Sequence, residues 1–284
     1  PGFIDSWVEL PNIKETISHH DSHWNSKVNS RKDMSQLYQA DEKNIKSLQK
    51  LGFTSAHIVA DSGIFQGQTA VIQLDKEGTV LKSNVAQNIA YEVDGWGSKK
   101  YPNSLLGVMA LIRQTFIDAD WYIRSIEQAE TYPQFNEPLE RNRDLTILGE
   151  WVQFKKPFLF ETNHELTALR SFNLAKEFKL NCWIKGSGYE YRRIKEIASA
   201  KPFIILPLNF PVTPDISDPN QALSYSTAEL KHWEMAPDNP AELVKHEIPF
   251  GITSHGLEEK EFRKNLRRIV ERSLSESDAL SALT

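Results

Sequence analysis

The chain has 284 residues, 40% hydrophobic and 25% charged, with a formal net charge of −5 and an isoelectric point near 6.0. Those figures exclude a disordered chain, and the acidic balance argues against a nucleic-acid or anionic-membrane surface, which depends on basic patches. No apolar run approaches the roughly 18 residues of a membrane-spanning helix, and the single cysteine, Cys182, excludes an intrachain disulfide.

Short apolar runs rich in β-branched and aromatic residues alternate with amphipathic stretches, the pattern of a parallel sheet or barrel. The first predicted strand covers residues 2–8, and a long excursion, 10–40, follows it. A helix is predicted over 41–51 from its Asp start and helically spaced apolar residues. Strands follow at 55–60, 69–74 and 85–91; Asp75-Lys76-Glu77-Gly78 reads as a turn between the last two, which also admits a hairpin. After Pro102 comes a helix over 103–129, with Leu105, Leu106, Met109, Ile112, Phe116 and Ala119 on one stripe, and then a helix over 136–154. The strand at 158–161 leads to a helix over 164–178, with Asn163 as N-cap and Leu166, Leu169, Phe172 and Leu174 inward. A strand at 182–185, a helix over 189–200 and a strand at 203–206 precede a second excursion, 207–249, with five prolines between its bounding Pro207 and Pro249. The strand at 250–254, a helix over 258–273 and a short helix from Glu276, capped by Ser275, complete the order. Eight strands is the number a (β/α)8 barrel needs, so the expectation is a single α/β domain of TIM type over residues 1–284. With no start methionine and no signal peptide, the chain reads as an excerpt of a longer protein.

Several segments carry a resemblance: PGFIDSWVEL, LGFTSAHIVADSGIFQGQTAVI, YPNSLLGVMALIRQTFIDADWY, FLFETNHELTALRSFNLAKEFKL, IKGSGYEYRRI, PLNFPVTPD and FGITSHGLEEKEFRKNLRRIVERSLSESDALSALT. The sequence is similar to imidazolonepropionase-like members of the amidohydrolase superfamily. More narrowly, it resembles the degenerate first half of long, two-part bacterial proteins related to them. The resemblance implies a TIM-type barrel and a hydrolase ancestor acting on C–N bonds other than peptide bonds. It also implies a flanking β-sandwich mostly missing from this chain. As partners it implies the remainder of its own longer chain, including a second amidohydrolase half, and a periplasmic or secreted address.

The resemblance further implies a divalent cation held by imidazoles and a carboxylate at the mouth of the barrel, where it lowers the pKa of bound water. In that family PGxID is followed by His-x-His; here the two positions are Trp7 and Glu9. The fifth-strand histidine corresponds to Glu161, the sixth-strand histidine to Gly186 with Lys185 and Ser187 beside it, and the eighth-strand aspartate to His255. An indole and a glycine supply no metal donor. The leading expectation is therefore a pseudoenzyme: no metal, no cofactor, and a scaffold or partner role within a larger hydrolase. One alternative takes Glu9, Glu161 and His255 as a substitute set for zinc or manganese in an active hydrolase. Another is a small-molecule binding module in which Trp7 and Phe65 stack a ring. Without a cation, Glu9 and Glu161 become neighbouring carboxylates with coupled titrations and His255 as counter-charge.

The remaining candidates have plain structural readings. His19-His20-Asp21-Ser22-His23 matches no zinc spacing and reads as a solvated loop. His164 and Glu165 fall in the first turn of a helix, where Glu165 suits the helix dipole. Gly186-Ser187-Gly188 fits a small anion-binding turn or a tight strand-to-helix turn. Phe65 is expected to cap the barrel, and Arg113 and Gln114 to tie their helix to neighbouring loops. Trp96, Trp121, Trp151 and Trp233 read as core or interface aromatics, and Cys182 as a small buried hydrophobe.

Overall fold

The computed structural model describes residues 2–10, 21–93, 100–135, 139–215 and 224–284. The strands are β1 (Phe3–Leu10), β2 (Phe53–Ala60), β3 (Phe65–Gln68), β4 (Ala70–Gln73), β5 (Val80–Lys82), β6 (Gln87–Ile89), β7 (Pro157–Glu161), β8 (Asn181–Lys185), β9 (Phe203–Pro207) and β10 (Phe250–Thr253). They form a four-stranded sheet ordered β1-β2-β4-β5 and a six-stranded sheet ordered β10-β9-β8-β7-β6-β3. Parallel pairing runs from β6 through β10 and joins β1 to β2, whereas β4 and β3 pair antiparallel.

All eight expected strands form, with two additions. β3 (FQGQ) and β5 (VLK) are too short and, in β3, too polar to show a period. The expected third strand is β4, and it pairs antiparallel with β2 and β5. Its hairpin partner is β5, not the expected strand at 85–91. Asp75 fixes that hairpin by accepting from Thr79 N (3.0 Å) and Thr79 Oγ1 (2.8 Å), with Gly78 at φ 65°. The strand at 85–91 becomes β6 in the other sheet, tethered beside β4 through Thr69, whose N–H bonds Ala86 O (2.8 Å) and whose carbonyl accepts from Val85 N (3.0 Å).

Two devices join β1 to β10. At one end Ile4 N donates to Leu283 O (2.8 Å) and Ile252 N to Ala282 O (2.8 Å), so the C-terminal turn bridges the two strands. At the other, buried Asp5 accepts from Thr253 Oγ1 (2.6 Å) and Ser254 N (3.2 Å), while Thr253 Oγ1 also reaches Trp7 O (3.0 Å). Burial pushes the Asp5 carboxyl upward against the lowering effect of these bonds. Trp7, Val59, Ala86, Leu159 and Ile205 pack into a small apolar core drawn from both sheets. A larger core lies between the six-stranded sheet and the helices Leu105–Thr131, Arg143–Gln153 and Glu165–Phe178.

The helices depart from expectation at their ends. Leu105–Thr131 is capped by Ser104 and buries Val108, Leu111, Ile112, Thr115, Phe116 and Ala119; Leu106, expected on the buried stripe, is 81% exposed. Arg143–Gln153 starts after Asn142, whose side chain accepts from Leu145 N, while part of the expected start, 136–138, lies outside the described residues. Glu165–Phe178 is capped by His164 rather than Asn163: its Nδ1 accepts from Leu166 N (3.3 Å), and Leu166 points outward. The helix expected over 189–200 opens as a 3-10 turn, Glu190–Arg193, before Ile194–Ala200. The 207–249 excursion carries the helices Thr227–Met235 and Asn239–Lys245, hidden in the sequence by its prolines, of which Pro240 falls in a first helical turn where it is tolerated. Glu42–Lys50, Glu259–Arg272 and Glu276–Ser281 stand where expected, the last capped by Ser275. Among the described residues no helix is long and apolar enough to cross a membrane.

Candidate functional site

Parallel strands bring their C-terminal ends to one rim, and there the chain assembles its unusual charges. Glu9 ends β1 but for one residue, Glu161 ends β7, Lys185 ends β8, and His255 follows β10. In β1 the step from Asp5 to Val8 opposes only Ala56 to Ile58 in β2, a bulge at Ser6–Trp7. Bulges of this kind re-aim side chains, and Trp7 here is 1% exposed. The ladder-free Ser6 carbonyl accepts from His57 Nδ1 (3.0 Å), while His57 Nε2 accepts from Thr69 Oγ1 (2.7 Å). That pairing assigns one proton to the ring, in keeping with a pKa lowered to about 4 by burial.

At the centre of the rim, three nitrogens converge on one oxygen. Glu9 Oε1 accepts from Trp7 Nε1 at 2.9 Å, lies 3.2 Å from Lys185 Nζ, and lies 3.5 Å from His255 Nε2. The Lys185 ammonium also sits 4.3 Å from the centroid of the Trp7 ring, a cation–π distance. Burial pushes the Glu9 carboxyl upward, but the Trp7 indole and the Lys185 and His255 charges outweigh it and hold Glu9 below its usual value. His255 is lowered by burial and by repulsion from Lys185, against the pull of Glu9. His255, the counter-charge the sequence suggested, does face Glu9, and Lys185 joins it with the larger effect.

Glu161 moves the other way. Burial raises its carboxyl to about 7, only partly offset by Lys185 and by a bond from Asn88 Nδ2 (2.9 Å), with Glu9 and Glu92 adding to the rise. The two carboxylates expected to couple are pushed in opposite directions, with Glu9 below its usual value and itself adding to the rise of Glu161.

Gly186 leaves its strand with its N–H on Ile205 O (2.8 Å), and a Cβ there would meet Glu190 Oε1 at 2.9 Å. Glu190 is fully buried; it accepts from Ser187 N (2.6 Å) and Asn239 Nδ2 (2.7 Å). The Gly186-Ser187-Gly188 turn is therefore already filled by a carboxyl group of its own chain. Among the described residues no three His, Cys, Asp or Glu side chains form a metal-holding group, and Glu9, Glu161 and His255 are not brought together as one. A divalent cation does not suit this donor set: the central oxygen, Glu9 Oε1, is already engaged by Trp7, Lys185 and His255.

Beside this knot an open cavity of about 490 Å³ is lined by Gln66, Glu92, Glu161, Thr162, Asn163 and Lys185, among others. Trp7 and Phe65 do not offer a stacking surface: both are buried, Trp7 between the sheets and Phe65 edge-on against Phe116. His19 and His20 lie outside the described residues. His23, expected in a solvated loop, is buried; its N–H bonds Asp144 Oδ2 (3.0 Å) and its Nδ1 accepts from Asn25 N (3.1 Å), because Asp144 gathers this segment onto the Arg143–Gln153 helix. His164 Nδ1 both caps Leu166 N (3.3 Å) and lies 3.0 Å from Oε2 of buried Glu165, whose Oε1 lies 3.6 Å from Arg192. Arg192 lies 4.5 Å over Tyr189, which stacks on His232 at 3.7 Å, forming a stiff wall above β8. Arg113 pairs with Glu177 (2.9 Å), so it ties helix to helix rather than helix to loop. Trp151 is buried, Trp121 is 55% exposed, Trp233 is half-buried under Arg268, and Trp96 lies outside the described residues. Burial pushes the Cys182 thiol up to about 12.

Three site members escaped the sequence reading. Lys185 entered only as a neighbour of Gly186, although a lysine closing an apolar strand at the functional rim was a usable signal. Asn88 and Gln66, which bond each other (2.6 Å), sit in strands too short to be read.

The chain is similar in three dimensions to the crystal structure of an amidohydrolase from Thermotoga maritima MSB8, with a TM-score of 0.74 and 20% sequence identity over 100% of this chain and 73% of that one. No protein-family model matches the sequence, and no curated protein matches it. At that identity the likeness shows the fold: a mixed α/β, amidohydrolase-like arrangement of two sheets and helices.

Proposed function

We propose that this chain is a metal-poor, non-hydrolytic unit of amidohydrolase-like fold, a scaffold or partner domain for a catalytic half in a longer protein. The reading includes one TIM-type barrel domain over residues 1–284 and an imidazolonepropionase-like ancestry. The observation that carries it is the convergence of Trp7 Nε1, Lys185 Nζ and His255 Nε2 on Glu9 Oε1. Where hydrolases of this superfamily place a metal, an ammonium supplies positive charge but offers no open coordination position and activates no water. The test is metal content after purification without chelators, run beside amide hydrolysis with added Mn²⁺ or Zn²⁺. The reading expects sub-stoichiometric metal and no turnover. A bound ion, with hydrolysis that falls in Glu161→Ala, would instead support an active hydrolase with a rebuilt site.

The cavity beside Glu161 favours a second, compatible reading, that of a small-molecule binding module. A volume near 490 Å³ is within the range of ligand sites, about 300–1,000 Å³.

A further inference from the structure

We infer that the cavity bordered by Glu161, Glu92 and Gln66 binds a small organic amine in its ammonium form, with Glu161 as its anionic anchor. The inference rests on the non-hydrolytic, ligand-binding reading and names the ligand class for that site.

The first ground is the direction of the hydrogen bonds. Gln66 Nε2 donates to Gly63 O (3.3 Å), and Asn88 Nδ2 donates to both Gln66 Oε1 (2.6 Å) and Glu161 Oε1 (2.9 Å). The hydroxyl donors of the wall are spent as well: Thr162 Oγ1 on Lys185 O (2.7 Å) and Thr167 Oγ1 on Asn163 Oδ1 (3.2 Å). The carboxylate acceptor left toward the cavity is Glu161 Oε2, to which no bond forms among the described residues; the Asn163 amide beside it is engaged through its Oδ1. A ligand rich in N–H donors complements such a wall; one that only accepts does not.

Charge gives the second ground. Asp61, Glu92 and Glu161 line the cavity, and among the described residues Lys185 is its only lining cation. Lys185 pairs with Glu9 outside that wall, at 3.2 Å, and from there only partly offsets the burial of Glu161. Glu92 has a partial partner in Lys27 at 3.6 Å. The groups acting on Glu161 are Lys185 from β8, Glu9 from β1, Asn88 of β6 and Glu92 just beyond it; His255 acts on Glu9. The excess is negative. Ala90, Tyr91, Val93 and Leu105 supply an apolar side, so the ligand is an ammonium on a short hydrocarbon body.

An entering ammonium must find Glu161 ionised, so affinity follows its titration near 7. Calorimetry with pentylammonium, pentanamide and pentanoate, one skeleton in three charge states, tests this on the whole chain. Pentylammonium is expected to bind at pH 8, about tenfold more weakly at pH 6, and at least tenfold more weakly at pH 8 in Glu161→Gln with an unchanged circular dichroism spectrum. Pentanoate or pentanamide binding as tightly as pentylammonium would overturn the proposal. So would an affinity unmoved by pH and by Glu161→Gln, or no heat at millimolar pentylammonium. Turnover of pentanamide with added Zn²⁺ sinks the non-hydrolytic reading; failed ammonium binding without turnover sinks this inference alone.

Discussion

Replacing Lys185 by Met keeps most of the side-chain volume and removes the charge at the centre of the rim. Across 3.2 Å the Lys185–Glu9 attraction is about 5 kcal/mol at an effective dielectric near 20. Exposure matters: the lysine side chain is 14% accessible and the glutamate 32%, so the pair lies between the surface case, worth at most about 1 kcal/mol, and the buried case, where removing one partner costs about 3–5 kcal/mol. Glu9 keeps the Trp7 indole, whereas the cation–π contact, about 1 kcal/mol, is lost. A loss of about 3 kcal/mol at pH 7 is expected. Glu9 has a depressed folded pKa, so its contribution is present above the unfolded value near 4.5 and fades as pH falls through the lower folded value. The deficit of Lys185→Met should accordingly shrink in acid. Urea denaturation at pH 7 and pH 4, followed by tryptophan emission, measures both quantities. A variant as stable as the parent at pH 7, or a deficit that does not change with pH, would refute the reasoning.

Glu161→Gln should keep the bond from Asn88 and remove a strained carboxyl. Because the folded pKa of Glu161 is raised to about 7, the parent should lose stability relative to this variant as pH rises from about 4.5 to 7; thermal melts across that window check the crossing. His57 works in the opposite sense: its folded pKa of about 4 means stability lost as pH falls from about 6.5 to 4, on the order of 3 kcal/mol. His57→Leu should flatten that acid limb while costing about 2 kcal/mol at pH 7, because Ser6 O and Thr69 Oγ1 lose their partner; equilibrium unfolding at several pH values reads both effects. Asp5→Ala should cost on the order of 3 kcal/mol by stranding the Thr253 and Ser254 donors where β1 meets β10, and amide exchange at Ser254 should quicken.

Local periodicity revealed the long elements, since a strand such as FIIL or a helix such as ELTALRSFNLAKEF needs only its own residues to be recognised. It failed where tertiary contacts decide. β3 forms because Phe65 and Gln68 meet the backbone near Val28 and Asp33, bridges that no local pattern encodes. Leu106 looked like core because leucine is apolar, yet the buried stripe is set by where the sheet lies, one position along. His164 capped the helix in place of Asn163 because either side chain can accept an N–H and the backbone selects between them. At the rim, the candidate residues Trp7, Glu9, Glu161, Gly186 and His255 could be read from the chain. That Lys185 turns toward Glu9 rather than away from the rim depends on five parallel strands adopting a common register.

The central claim is that an ammonium, not a metal ion, neutralises Glu9. Crystals soaked in millimolar Zn²⁺ and measured across the zinc edge test it most directly. The account expects no anomalous peak within bonding distance of Glu9 and a Lys185 Nζ still about 3.2 Å from its carboxylate. A zinc peak coordinated by Glu9 and His255, with Lys185 swung aside, would contradict it.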